Sequence, residues 1–338
     1  MRSNTFTRAM VQSLASRSIR RIAEDPERGL RNLVDMGLAT ATGRFQKHYM
    51  TILQGVLEDP ACPYYELVCR TARQVENRNL TLFGVNIGWQ SWTVGAQRIR
   101  KSKAAQGSDI PWSLTLHLAG SPEGGMDWAR LVRAGQEEGI YAYFLHVGGD
   151  PAAMEQAVEL ARGAERSAFL LFAYPEDVAP ALGELTALDN TAVMVCTDRP
   201  GWQEAVTALR EERRLYGLWR SCETAEDVEQ TAPWLEEIQD EGGIVAFSIP
   251  APGCPAQSRE QLHRLAEETW HKRLYPLLVF DYYADILLVN DTISGSFRFV
   301  SVLPDGQAAV YQDGREVPTG VNLRSAPLET LLPHASSL

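Results

Sequence analysis

Four consecutive residues, Gly148, Gly149, Asp150 and Pro151, carry the densest chemistry of this chain. Two glycines free the backbone to turn and expose its N–H groups, and the carboxylate beside them can accept hydrogen bonds. His117 and His146 each close an apolar run of strand length, and Asp198 and Asp281 stand at the ends of two more. Imidazoles and carboxylates gathered at one end of a sheet can exchange protons with a bound molecule, which makes His117, His146, Asp198 and Asp281 the candidate catalytic residues. Arg220, Glu223 and Ser248 occupy comparable positions, and Asp281 and Asp285 flank Tyr282, Tyr283 and Ala284 as a possible acid and base. Two histidines with a carboxylate could also ligate a divalent metal, but their separation matches no ligand motif and no metal is expected. The chain has no nucleophile elbow, Walker loop or HExxH motif.

These residues need a parallel sheet to bring them together. Trp112 to Leu118 and Tyr141 to Val147 are short apolar runs of strand length. Between them, Met126, Ala129, Leu131, Val132 and Ala134 recur at helical spacing over 126–138. A strand, a crossover helix and a second strand make a βαβ unit. The alternation continues through strands at Ala168 to Ala173, Ala192 to Cys196, Leu215 to Arg220, Ile244 to Ile249 and Leu277 to Asp281. Helices are expected at 175–188, 201–212, 225–240 and 258–272, several opening on acids that suit a helix amino terminus. The fold class is therefore α/β: a TIM-like (β/α) barrel, partial or open, with a doubly wound sheet as the alternative. In such barrels ligands bind at the strands' carboxyl ends, where these candidate residues fall.

The order of these features resembles the radical S-adenosylmethionine (SAM) superfamily. In that family a strand leads into a CxxxCxxC loop holding a [4Fe-4S] cluster, and the next strand ends in Gly-Gly-Glu-Pro, which binds the methionine end of the cofactor. Gly148, Gly149, Asp150 and Pro151 look like the second motif, with Asp for Glu, so the resemblance makes Gly148, Gly149 and Asp150 the cofactor-binding candidates. Asp109, Ile110, Pro111 and Trp112 resemble the Asn-Ile-Pro-Trp entry to the barrel. Near the carboxyl end, Asp305 and Gly306 begin a pattern in which Tyr311 replaces an expected cysteine, Thr292 replaces another, and Asn322, Leu323, Arg324, Leu328 and Leu331 resemble the closing motif. The cluster loop itself is missing, because only Ala119 to Gly125 separates the first strand from its helix and none of these is cysteine. The resemblance, which spans residues 75 to 332, thus implies a member that has lost its iron–sulfur ligands. It implies no cofactor, or SAM bound without a [4Fe-4S] cluster.

Composition narrows the partners. A net charge of −11 argues against nucleic acid, whose binding rests on Lys and Arg. With 45% hydrophobic residues the chain can bury a large core, and it has no apolar run long enough to span a bilayer. The five cysteines, Cys62, Cys69, Cys196, Cys222 and Cys254, are scattered and read as reduced thiols in a cytoplasmic protein. Residues 1–23 differ from the rest, with five arginines and no acid on an amphipathic pattern of Phe6, Met10, Leu14, Ile19 and Ile22. This basic helix suits an arm that packs on an acidic body or a second subunit, and otherwise a surface contact with an anionic membrane. The helical pattern continues through Tyr49, Ile52, Leu53, Val56 and Leu57 to Val75, and Trp89, Trp92, Arg98 and Arg100 read as core packing with a solvated rim. After residue 283, short strands are expected at Ile286 to Asn290, Phe297 to Leu303 and Ala308 to Gln312, the last two joined at Pro304-Asp305-Gly306.

The expected division is therefore 1–78 as a helical cap, 79–283 as the barrel and 284–338 as an extension with a β-hairpin. A non-catalytic binding or scaffold protein follows, with a protein partner or a small molecule at the barrel mouth, or self-association into a homo-oligomer. The alternatives are an enzyme with new chemistry at that mouth, and a radical SAM enzyme with unconventional ligands such as Cys196, Cys222 and Cys254.

Overall fold

In the computed structural model, residues 2–40, 51, 54–55, 59–107, 109–120 and 125–331 are described. The loop residues Ser121 to Gly124 and the helical positions Tyr49, Ile52, Leu53, Val56 and Leu57 lie outside them. The described chain begins with helices α1 (Arg2–Glu24), α2 (Pro26–Thr40), α3 (Pro63–Gln74) and α4 (Asn77–Val85). A ten-residue π-helix, Asn86–Gly95, carries α4 into α5 (Ala96–Gln106). The basic α1 packs on this layer, with Arg8 donating to Asn86 Oδ1 at 2.6 Å and Ser16 donating to Asn77 Oδ1 at 2.6 Å. It is an arm on its own body.

Strands and helices then alternate as β1 (Ser113–His117), α6 (Trp128–Glu138), β2 (Ala142–His146), α7 (Pro151–Gly163), β3 (Ala168–Ala173) and α8 (Pro175–Leu185). There follow β4 (Thr191–Cys196), α9 (Trp202–Glu211), β5 (Tyr216–Cys222), α10 (Ala225–Glu229), α11 (Thr231–Ile238), β6 (Val245–Pro250), α12 (Ala256–Lys272) and β7 (Leu278–Asp281). Every residue of β3 and β4 is buried, as strands covered on both faces must be. The chain ends with α13 (Tyr282–Ser294), β8 (Val300–Val302), β9 (Gln307–Gln312) and β10 (Arg315–Asn322). No helix of the described residues is long and apolar enough to cross a membrane.

All ten strands form one sheet in the order β10-β9-β8-β1-β2-β3-β4-β5-β6-β7. From β8 through β1 to β7 the neighbours are parallel, and β8-β9-β10 is antiparallel. The first seven strands follow chain order, so the order reversal that a doubly wound sheet requires does not occur. Neither is a closed barrel formed, because β7 and β10 remain as edges. The sheet is nevertheless strongly curved. Phe144 on β2 and Phe247 on β6 are four strands apart, about 19 Å in a flat sheet, yet their rings are 6.4 Å apart. Phe172 and Tyr282 join them to fill the concave face.

The amino ends of the strands rest on α4 and the π-helix. Two asparagines seven residues apart, both fully buried, meet the backbone groups there. Asn79 donates to the carbonyls of Asp189 and Thr191 and accepts the Leu215 N–H. Asn86 donates to the carbonyls of Glu165 and Ser167. A side chain at Gly95 would strike the Gly139 carbonyl oxygen, so only glycine lets the π-helix approach the turn before β2.

Two expectations for the tail change. Ile286 to Asn290 is not a strand but part of α13, which Asp281 caps by accepting the Ala284 N–H at 3.3 Å and Gly295 ends in a left-handed conformation. A short apolar run cannot distinguish a strand from a buried helix turn, and these caps decide it. The strand β10 has no alternating pattern, and Pro318 and Gly320 hide it.

Replacing Asn79 with alanine should leave three buried backbone groups unpaired. We expect Asn79→Ala to lose on the order of 3 kcal/mol of unfolding free energy in urea titrations, against little change for the exposed Lys101→Ala.

Candidate functional site

The structure brings His117 and His146 together and surrounds them with partners from distant parts of the chain. They end adjacent strands in register, and their rings stack with centroids 5.0 Å apart. His117 Nε2 lies 3.0 Å from Glu316 Oε2, whose residue sits on β10. Because a carboxylate only accepts, that nitrogen carries the proton. The same carboxylate accepts from Ser301 on β8 and, through Oε1, from the Tyr283 hydroxyl at 3.0 Å. Tyr283 stacks on Tyr311 of β9 at 4.0 Å. Beneath this group, His146 Nε2 meets the Tyr282 hydroxyl at 2.9 Å, and that hydroxyl meets Thr115 Oγ1 at 3.0 Å.

Charge in this cluster is set by burial and by hydrogen bonds. Burial lowers the His146 pKa, the neighbouring His117 lowers it further, and it reaches about 3, so His146 is neutral at pH 7. For Glu316, burial alone would raise the pKa, but the hydrogen bond and charge of His117 and the Ser301 hydroxyl overcome it and bring it to about 2. The Glu316 side chain is 13% exposed and that of His117 is 29% exposed. The pair is therefore a carboxylate-oriented imidazole with one edge toward solvent, an arrangement able to accept and return a proton.

The other candidates do not join it. Asp150 caps α7 by accepting the Ala152 N–H at 3.0 Å, and its second oxygen accepts from Gly120 N–H. Gly148 and Gly149 both take left-handed backbone angles there. Asp198 accepts the Ser221 N–H at 2.6 Å and pairs with Arg220 at 3.9 Å. Arg220 lies over the Trp234 ring on the helical side. Glu223 is exposed beside the start of α10, and Ser248, 2% exposed, faces Asp281 across β6 and β7. Asp281 is occupied in capping α13, and Asp285 returns the favour by accepting the Asp281 N–H at 2.7 Å. Burial raises Asp281 to about 6 and, helped by the Asp281 charge, Asp285 to about 7.

Among the described residues no group of three or more His, Cys, Asp or Glu is arranged to hold a metal. All five cysteines are free and buried, and burial pushes the thiols of Cys196 and Cys222 up to about 12 and about 11. A groove of about 530 Å³ lies elsewhere, between α6 and α7, with Trp128, Val132, Gln136 and Gln156 among its walls.

Glu316, Ser301 and Thr115 were not legible as site residues. Glu316 lies 199 positions from His117 and has no local spacing that links them. Tyr282 and Tyr283, which stand between Asp281 and Asp285, make the contacts with His146 and Glu316. No known protein-family model matches this sequence, and no curated protein does.

Two pH effects follow. A carboxylate whose folded pKa lies below its unfolded value stabilises the fold above the unfolded value of about 4.3, and this is lost as pH falls through about 2. We expect Glu316→Gln to be about 2 kcal/mol less stable than the parent in urea at pH 7, with the gap narrowing as pH approaches 2. Asp285 has the opposite sign, since a raised pKa favours the fold at low pH and the benefit is lost as pH rises through about 7. Asp285→Asn, which keeps the acceptor, should match the parent near pH 4.5 and exceed it by on the order of 2 kcal/mol at pH 8.5.

Proposed function

We propose that this chain is a non-catalytic binding or scaffold protein built on a radical-SAM-like frame that no longer holds an iron–sulfur cluster. The observation that carries the proposal is the filling of the strands' carboxyl end by the chain itself. Glu316 and Tyr311 of the terminal hairpin stand against His117 and Tyr283, where a barrel enzyme would receive its ligand. The turn that resembles the cofactor motif is likewise committed, its Asp150 carboxylate accepting from the Gly120 and Ala152 N–H groups.

The frame reading draws on the open sheet with seven strands in chain order and on the left-handed Gly148-Gly149 turn after β2. Loss of the cluster agrees with the residues after β1, none of which is cysteine, and with thiols that burial keeps protonated, since a cluster is bound by thiolates. A partner-binding role gains support from α1, where Met10 and Leu14 are 50% and 38% exposed one turn apart. One observation favours a second reading, an enzyme with new chemistry. The imidazole of His117, oriented by Glu316 and open at one edge, is built as a general base would be.

Titration of the purified protein with S-adenosylmethionine in a calorimeter, with iron and zinc measured on the same sample, tests the first reading. We expect no binding heat and far less than one metal per chain. Saturable binding would show that the Gly148 to Asp150 turn still serves a cofactor and would overturn the filled-mouth proposal.

A further inference from the structure

Two exposed patches of opposite charge lie at opposite ends of the sheet. At the amino ends of the strands, the layer of α1, α4, the π-helix and α5 contains two stretches, 2–23 and 77–107, without one acidic residue. Arg17, Arg20 and Arg21 of α1 and Arg98, Arg100 and Lys101 of α5 are exposed on it. This layer is fixed at the amino ends by Asn79 and Asn86, which bind the backbone just before β3 and at the starts of β4 and β5. The carboxyl side presents the reverse. Residues 221–235, which follow the carboxyl end of β5, hold four acids and no Lys or Arg. Glu223, Glu226 and Glu229, all exposed, lie on α10 and the turn that enters it from the carboxyl end of β5.

The two poles cannot meet within one chain. They are separated by the length of the strands, which at five to seven residues is about 20 Å. Each pole also has an apolar component. On α1, Met10, Leu14, Arg17 and Arg21 follow at spacings of four, three and four, which places the exposed methionine and leucine in line with two exposed arginines on one helix face. On the acidic pole, Pro252, Pro255 and Ala256 are exposed in the loop that leads from β6 into α12, and α10 packs on α12 beside that loop.

From this complementarity we propose that the α1 face of one copy docks on the α10 surface of a second copy, head to tail. Charge complementarity selects the occupant: the basic, apolar-striped helix finds its match in the acidic, proline-bearing surface at the opposite end of an identical molecule. An interface of this kind is heterologous, joining different surfaces on the two copies, so it builds rings or open chains rather than a two-fold dimer. The overall charge of −11 opposes association, so the contact is weak, concentration-dependent and sensitive to salt. The inference does not depend on the radical-SAM-like ancestry of the frame.

A charge-swap experiment on the full chain tests it. One variant carries Arg17→Glu, Arg20→Glu and Arg21→Glu, and the other Glu223→Lys, Glu226→Lys and Glu229→Lys. All six positions are exposed, and thermal melts of each variant confirm folding before use. Sedimentation velocity of the parent at low ionic strength should show a mean mass that rises with concentration. It should fall to the monomer at about 1 M salt, where the screening length is about 3 Å. Each variant alone should stay monomeric, because each presents like charges at both poles. An equal mixture should regain association, since every α1 then finds an opposite surface. A parent that stays monomeric, association that survives high salt, a single variant that associates like the parent, or a mixture that stays monomeric would each overturn the proposal.

Discussion

One half-buried carboxylate holds the two open ends of this sheet together. Glu316 takes hydrogen bonds from His117 on β1, from Ser301 on β8 and from Tyr283 just past β7. In sheet order β10 and β7 are the most distant strands, and no ladder of backbone bonds joins them. The curvature that brings them near is sustained by side chains: the aromatic filling of Phe144, Phe172, Phe247 and Tyr282, the Tyr283–Tyr311 stack, and this carboxylate. Desolvating a carboxylate is costly, and three donors, one of them an imidazole, offset that cost. Hydrophobic packing alone would tolerate several arrangements of the hairpin, whereas three directed bonds to one carboxylate admit few.

The opposite end of the sheet obeys the same rule by different means. Strands that begin under a helical layer leave carbonyl and amide groups that water cannot reach, and each must find a partner. Buried asparagines supply them, since one amide both donates and accepts. Asn79 and Asn86 serve β3, β4 and β5, Asn190 binds the carbonyls of Ala161, Ala164 and Ser167, and Asn290 accepts the Trp112 N–H at the entry to β1. The seven-residue interval between the first two is two helical turns, so both face the sheet from one side of the layer. In consequence the helical layer and the sheet are bound by geometry as well as by apolar area.

How much of this could be read from the sequence depended on the range of the interaction. Strands such as Ala168 to Ala173 were legible to the residue, because burial on both faces leaves an unbroken apolar run between polar turns. Helix starts at Pro175 and Ala225 were legible from the acids that open them, and the joint at Pro304-Asp305-Gly306 from its turn chemistry. The histidine pair was half legible, since parallel register puts the ends of consecutive strands side by side. Glu316 was not, because its partner is remote in sequence and β10 lacks the period-two pattern that would have marked it. The helix at 286–290 failed for a local reason, the ambiguity of a short apolar run. Capping geometry, which resolves it, is a property of Asp281 and Asp285 together.

The filled carboxyl end bears on where this protein can meet other molecules. In an α/β sheet the strand ends are normally left open by loops, and the core beneath supplies stability. Here Asp150, Asp198, Asp281 and Asp285 each accept a backbone N–H at a turn or helix start, and the histidines are tied to Tyr282 and Glu316. These strand-end groups are thereby spent on fixing the chain's own turns. The surfaces whose side chains remain unengaged lie on the helical layers, where α1 keeps an apolar and basic face and α10 an acidic one. The position of α1 is set through the layer that Asn79 and Asn86 bind to the strand ends, and that of α10 by its packing on β5 and α12.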